Sequence, residues 1–129
     1  MATWSDVERL AGSLPGVDEG DTRGSRAWKV AGKAFVMDRP LRRSDYEALG
    51  DSAPEGPILG AWVPGQDAKA ALLADEGGPY FTTPHFDGYA MILTKLEDIS
   101  LDELEELIVE AWLTRAPKRL AKEYLERSV

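Results

Sequence analysis

Residues 26–37 read RAWKVAGKAFVM, and the fold turns on how this stretch is read. Two apolar-aromatic runs flank Ala31-Gly32, which predicts two antiparallel strands joined by a two-residue loop. In that register Val30 faces Lys33, Trp28 faces Phe35, and Arg26 faces Met37. A Trp–Phe cross-strand pair would stabilise one face of the sheet. A type I′ loop favours Asn or Asp before Gly, and alanine resists positive φ. A slightly different loop is therefore expected.

Outward from the hairpin the pattern alternates between short strands and helices. Before it, Val7, Leu10, Ala11 and Leu14 fall at helical spacing over 3–14, with Thr3 or Ser5 as cap and Pro15-Gly16 as stop. The polar stretch 17–25 reads as a loop or an edge strand. After the hairpin, 44–50 is a short helical turn in which Ser44 and Glu47 have capping-box spacing. Residues 51–57 are a loop, 58–63 (ILGAWV) a strand, and 66–75 (QDAKAALLAD) a helix of good helix formers. Gly77-Gly78-Pro79 breaks it. A short strand (80–83), a turn (84–88) and a buried strand (89–96) follow. Ser100 and Glu103 predict the cap of a helix whose apolar face is Leu101, Leu104, Leu107, Ile108, Ala111 and Trp112. Pro117 suits the first turn of a last helix over 117–127. This order predicts one α+β domain over 1–129, an antiparallel sheet with helices packed on one face.

The totals narrow the chemistry. The chain has 129 residues, 43% hydrophobic and 29% charged, with no cysteine. That describes a globular domain large enough for its own core. It excludes disulfides, thiolate metal sites and cysteine nucleophiles, and fits a reducing cytoplasm. No secretory leader and no run of ~20 apolar residues is visible, so no membrane partner is expected. The net charge of −8, from 23 acids against 15 bases, repels nucleic acid on average. Any DNA contact needs a local basic patch.

Three candidate sites stand out. Arg23, Arg26, Lys29, Lys33, Arg39, Arg42 and Arg43 crowd residues 23–43, opposed only by Asp38. A basic hairpin of this kind could sit on a phosphate backbone; lysine and arginine guarding a strand edge is the plainer account. The second is YFTTPHFDGYAMIL (80–93), which holds the only histidine. There Thr83, His85 and Asp87 could set specificity for a small ligand or protein partner, with Tyr80 or Tyr89 lining the site. The plainer account is a turn whose Thr82, Thr83 and Asp87 bond to backbone. The third is Arg115, Lys118, Arg119 and Lys122 near the C-terminus, which could touch phosphate or be ordinary surface charge.

No catalytic residue is assigned. There is no G-x-S-x-G elbow, no glycine-rich phosphate loop, and one histidine with Asp87 falls short of the three or four ligands zinc requires. No metal and no cofactor is expected, and the chain reads as non-enzymatic.

LPGV near the first helix, WKVAGKAFV, YFTTPHFDGYAMIL and DELEELIVEAWLTRAPKRL, in this order and spacing, resemble the MmcQ/YjbR-like proteins of bacteria over about residues 4–125. The resemblance implies a CyaY-like two-layer α+β sandwich. It also implies DNA binding by a double-wing arrangement of hairpins, in which Arg26, Lys29 and Lys33 match a wing; with no recognition helix evident, weak, non-specific binding by phosphate contact is expected. It carries no agreed catalytic residues. The expected state is a monomer or homodimer.

Overall fold

In a computed structural model, which describes residues 2–22 and 24–127, the hairpin is the centre of one side of a six-stranded sheet. The strands are β1 (Val17–Thr22), β2 (Ser25–Val30), β3 (Lys33–Asp38), β4 (Ile58–Trp62), β5 (Tyr80–Phe81) and β6 (Met91–Lys95). Their order is β1-β2-β3-β4-β6-β5, and every pair is antiparallel. The helices are α1 (Trp4–Gly12), α2 (Arg43–Leu49), α3 (Gln66–Leu73), α4 (Leu101–Arg115) and α5 (Lys118–Arg127). The 17–25 stretch, open between loop and strand on sequence, supplies an edge strand paired along all of β2.

Two details of the hairpin differ from expectation. The loop is the two-residue one, with Ala31 at φ 50° and Gly32 at φ 80°, although an L-residue in the left-handed region costs roughly 1–2 kcal/mol. Ala31→Asn, the residue this turn prefers, is expected to raise stability by roughly 1 kcal/mol. A melting curve that moves down instead would contradict the assignment of strain to Ala31. The register also shifts. Val30 does oppose Lys33, but a bulge follows, so Trp28 opposes Val36 and Ala27 opposes Met37. Strict alternation would send either Phe35 or Val36 to the far face; the bulge lets both, each with 0% exposure, enter one core.

That core lies between the sheet and α1 with α4. Trp28, Val30, Phe35, Val36, Leu59 and Ile92 meet Val7, Leu10, Leu104, Ile108 and Trp112. Thr3 caps α1 through the Asp6 N–H, and Ser100 caps α4 through the Glu103 N–H at 3.2 Å. The indole N–H of Trp112 donates to the Pro15 carbonyl at 3.1 Å and ties α4 to the end of α1. The capping of α2 departs from the Ser44–Glu47 box. Arg42 is its N-cap, and Asp45 accepts the Arg42 backbone N–H at 2.9 Å.

The other face of the sheet is only partly covered. Alternation along β4 and β6 sends Ile58, Met91 and Leu93 to a second, smaller cluster with Phe86, against which Met37, Leu41, Trp62 and Phe81 pack. Phe86 belongs to a short 3-10 turn, Pro84–Phe86, which roofs one end of this face beside α2. The rest of the face stays open, and it holds the site described next.

Candidate functional site

A cavity of about 440 Å³ lies on the open sheet face, within the ~300–1,000 Å³ usual for small-ligand sites. Its floor is Ala34, Met37, Trp62 and Met91; its walls are Asp38, Arg39, Pro40 and Arg42 on one side and His85, Phe86 and Tyr89 on another. Arg115, at the end of α4, closes it, with its guanidinium 4.4 Å above the Trp62 ring. Such stacking holds the cation flat while its edge stays able to donate. The Arg115 Nε is buried and has no acceptor among the described residues.

The arginines of the basic stretch meet different fates. Arg39 is 7% exposed. It bonds Asp45 at 3.0 Å and the Pro40 carbonyl, and its guanidinium stands 5.1 Å over the Phe86 ring. Burial works against the Asp45 charge, but the Arg42 N–H and the Arg39 guanidinium outweigh it and hold the carboxyl below its ordinary value. Arg26 pairs with Glu19 at 3.0 Å and with Glu8, so its charge is spent within the fold. Arg43 pairs with Glu47 along α2. The stem of Lys29 passes over Gly20, and Lys33 is exposed beside the turn. Arg23 lies outside the described residues. The seven bases therefore do not form one patch: Arg39 and Arg42 wall the sheet-face cavity, while Arg26, Lys29 and Lys33 do not line it.

Of the residues singled out in the 80–93 stretch, His85 and Tyr89 reach the cavity; Thr83 and Asp87 do not line it. His85 sits edge-on to Phe86, ring centroids 4.8 Å apart. The Thr82 hydroxyl is buried without a hydrogen-bond partner among the described residues, and the Thr83 hydroxyl lies beside the Asp45 carboxylate, whose pKa it helps to lower, so neither holds the turn. Lys69 does. It is 5% exposed on α3, and its ammonium donates to the Phe86 and Tyr89 carbonyls at 2.8 and 2.9 Å. Burial lowers its pKa, with Asp87 partly opposing. On sequence Lys69 is one residue of a helix of good helix formers; nothing in QDAKAALL marks the lysine as inward.

Among the described residues, Asp38 is the one acid on the cavity wall. Burial raises its carboxyl above the ordinary value, with the Arg26 charge partly opposing. Tyr80, expected near the site, instead lines a separate cleft with Glu103 and Glu106. Burial and the adjacent Glu103, whose carboxylate accepts from the phenol at 3.2 Å, push its pKa up to about 12. An absorbance titration is expected to show a tyrosine step near pH 12, and Tyr80→Phe should remove that step. Retention of the step would contradict the placement. The folded value exceeds the unfolded 10.0, so this phenol's contribution is complete below pH 10.0 and is lost as pH rises toward 12.

Among the described residues no helix is long and apolar enough to cross a membrane. Residues 12–114 match the family model described as YjbR. The uncharacterized proteins Rv2570 of Mycobacterium tuberculosis and Mb2600 of Mycobacterium bovis are each 49% identical over 131 residues, covering 99% of this chain and 99% of theirs. In fold the chain is similar to the crystal structure of Deinococcus radiodurans protein DR2400, described as a DUF419 domain. The TM-score is 0.59 at 15% identity, over 88% of this chain and 78% of that one.

Proposed function

The chain belongs to the YjbR family, and from that premise and the cavity on its open sheet face we propose that it is a non-enzymatic module that binds a small planar anion. One observation carries this reading. A chain of net charge −8 gathers Arg42, Arg115 and His85 around an apolar, aromatic-lined cavity. Arg42 and Arg115 have no ion-pair partner among the described residues. Such a concavity focuses positive potential where the rest of the surface is acidic. An anionic group on the two guanidiniums leaves a flat ring to lie against Tyr89, beside the Trp62 ring that Arg115 covers. The two guanidiniums suit binding, since they stay charged and orient ligands but do not trade protons.

The test is calorimetric titration with benzoate, phenyl phosphate, indole-3-acetate and adenosine monophosphate. Arg42→Ala and Arg115→Ala should each weaken the best of them roughly ten- to hundredfold. Equal affinity in both variants would contradict the reading. Contact with DNA phosphates through the hairpin is the second reading. It draws support from Lys29 and Lys33, which lack ion-pair partners among the described residues. Under it, duplex binding falls log-linearly with salt and is abolished when Arg26, Lys29 and Lys33 are all replaced by Glu.

A further inference from the structure

Charge along the C-terminal helices is segregated. Residues 97–110 carry seven acids and no base, while residues 115–122 carry four bases and no acid. Asp102, Glu106, Val109 and Leu113 follow one another at four-, three- and four-residue steps and so share one face of α4. Asp102 and Glu106 are exposed, and Val109 and Leu113 are partly so. Leu113 leads into a second cleft of about 940 Å³, which Lys33, Arg115, Lys118, Lys122 and the 51% exposed Leu125 also line, outweighing the acid Glu126. Asp102, Glu106, Lys118 and Lys122 have no ion-pair partner among the described residues. One stripe thus runs from acid through apolar to basic.

We propose that this stripe is a self-association surface whose partner is a second copy of this chain, laid antiparallel across α4 about a two-fold axis near Val109. That arrangement sets the acidic half of each α4 against the basic cleft of the other, so one contact is made twice. Val109, Leu113 and Leu125 of both copies meet at the centre. An isologous contact of this kind closes at two copies and leaves no open end for a filament. A foreign acidic peptide would satisfy the cleft alone; only a second copy also uses the acidic half. Arg115 lines both this cleft and the sheet-face cavity, but the contact proposed here is carried by Lys118 and Lys122, which do not line that cavity.

Sedimentation at low salt over a concentration series tests it. The wild-type chain should dimerise, and the dimer should weaken as salt rises. Lys118→Glu with Lys122→Glu puts acids at both sets of stripe positions, and Asp102→Lys with Glu106→Lys puts bases at both. Each variant alone should weaken dimerisation by more than about tenfold. An equimolar mixture of the two should dimerise again, because both contacts are then complementary. That recovery also rules out misfolding as the cause of the losses. A wild-type chain that stays monomeric at its highest soluble concentration in low salt would overturn the proposal. So would a dimer indifferent to the substitutions, or a mixture that does not recover.

Discussion

An Asp45→Ala chain is expected to lose about 3–5 kcal/mol of stability, the usual consequence of stranding one member of a buried ion pair. Asp45 is 1% exposed, and its carboxylate holds both the Arg39 guanidinium and the Arg42 backbone N–H. Removing it leaves a buried guanidinium short of its counter-charge and α2 without its cap. The midpoint of urea unfolding should fall accordingly. An Arg39→Met, Asp45→Leu double variant should recover much of the loss, since replacing both partners avoids the unpaired charge. The acid limb provides an independent reading. The folded carboxyl lies below its ordinary value of 3.8, so its contribution is present above that value and is lost as pH falls through the folded one. In Asp45→Ala that part of the acid dependence should disappear. An unchanged acid limb would mean that Asp45 is not held as described. Because the same pair anchors the Arg39–Arg42 wall of the cavity, ligand affinity should fall with it.

The second large effect is expected at Lys69. Lys69→Met keeps the length of the side chain and removes the ammonium, so the Tyr89 carbonyl loses its donor, while the Phe86 carbonyl keeps only the Tyr89 N–H. Each buried carbonyl left unpaired costs about 1–3 kcal/mol. The damage should be local as well as global. Amide exchange should speed up over 84–90 relative to the α4 core, and ligand affinity should drop although Lys69 does not line the cavity. A variant that is destabilised evenly, with 84–90 still as protected as α4 relative to wild type, would contradict the role of Lys69 as the anchor of that turn.

What could be read in advance follows the range over which each feature is determined. The Ser100 cap and most of the apolar face of α4 depend on residues within a few positions of one another and are legible in the chain, although Leu101, placed on that face, is exposed and the Ala31-Gly32 loop, expected to relax, keeps its positive φ at Ala31. The bulge is not legible. Phe35 and Val36 are adjacent apolar residues, and only the presence of α1 and α4 on one side decides that both turn inward. The cap of α2 was misplaced for a similar reason. Asp45 is chosen over Ser44 because the same carboxylate must also meet Arg39. Among the site residues, His85 and Tyr89 stood out in a short motif, and Arg39 and Arg42 in a basic run. The sheet then separated that run, sending Arg26 to Glu8 and Glu19 while Arg39 and Arg42 went to the cavity. Trp62 and Arg115 come from the ends of β4 and α4, and no local pattern announces that they stack.

Chemical-shift mapping with phenyl phosphate on the isotope-labelled chain tests the central claim most directly. The side-chain signals to follow are the Trp62 indole N–H, the His85 ring and the Nε–H groups of Arg42 and Arg115. The account predicts saturable shifts in these four residues and in Met37 and Met91, with little change along Lys29 and Lys33. Shifts confined to the hairpin, or absent from the Arg42–Arg115 pair at saturation, would contradict the assignment of the sheet-face cavity as the binding site.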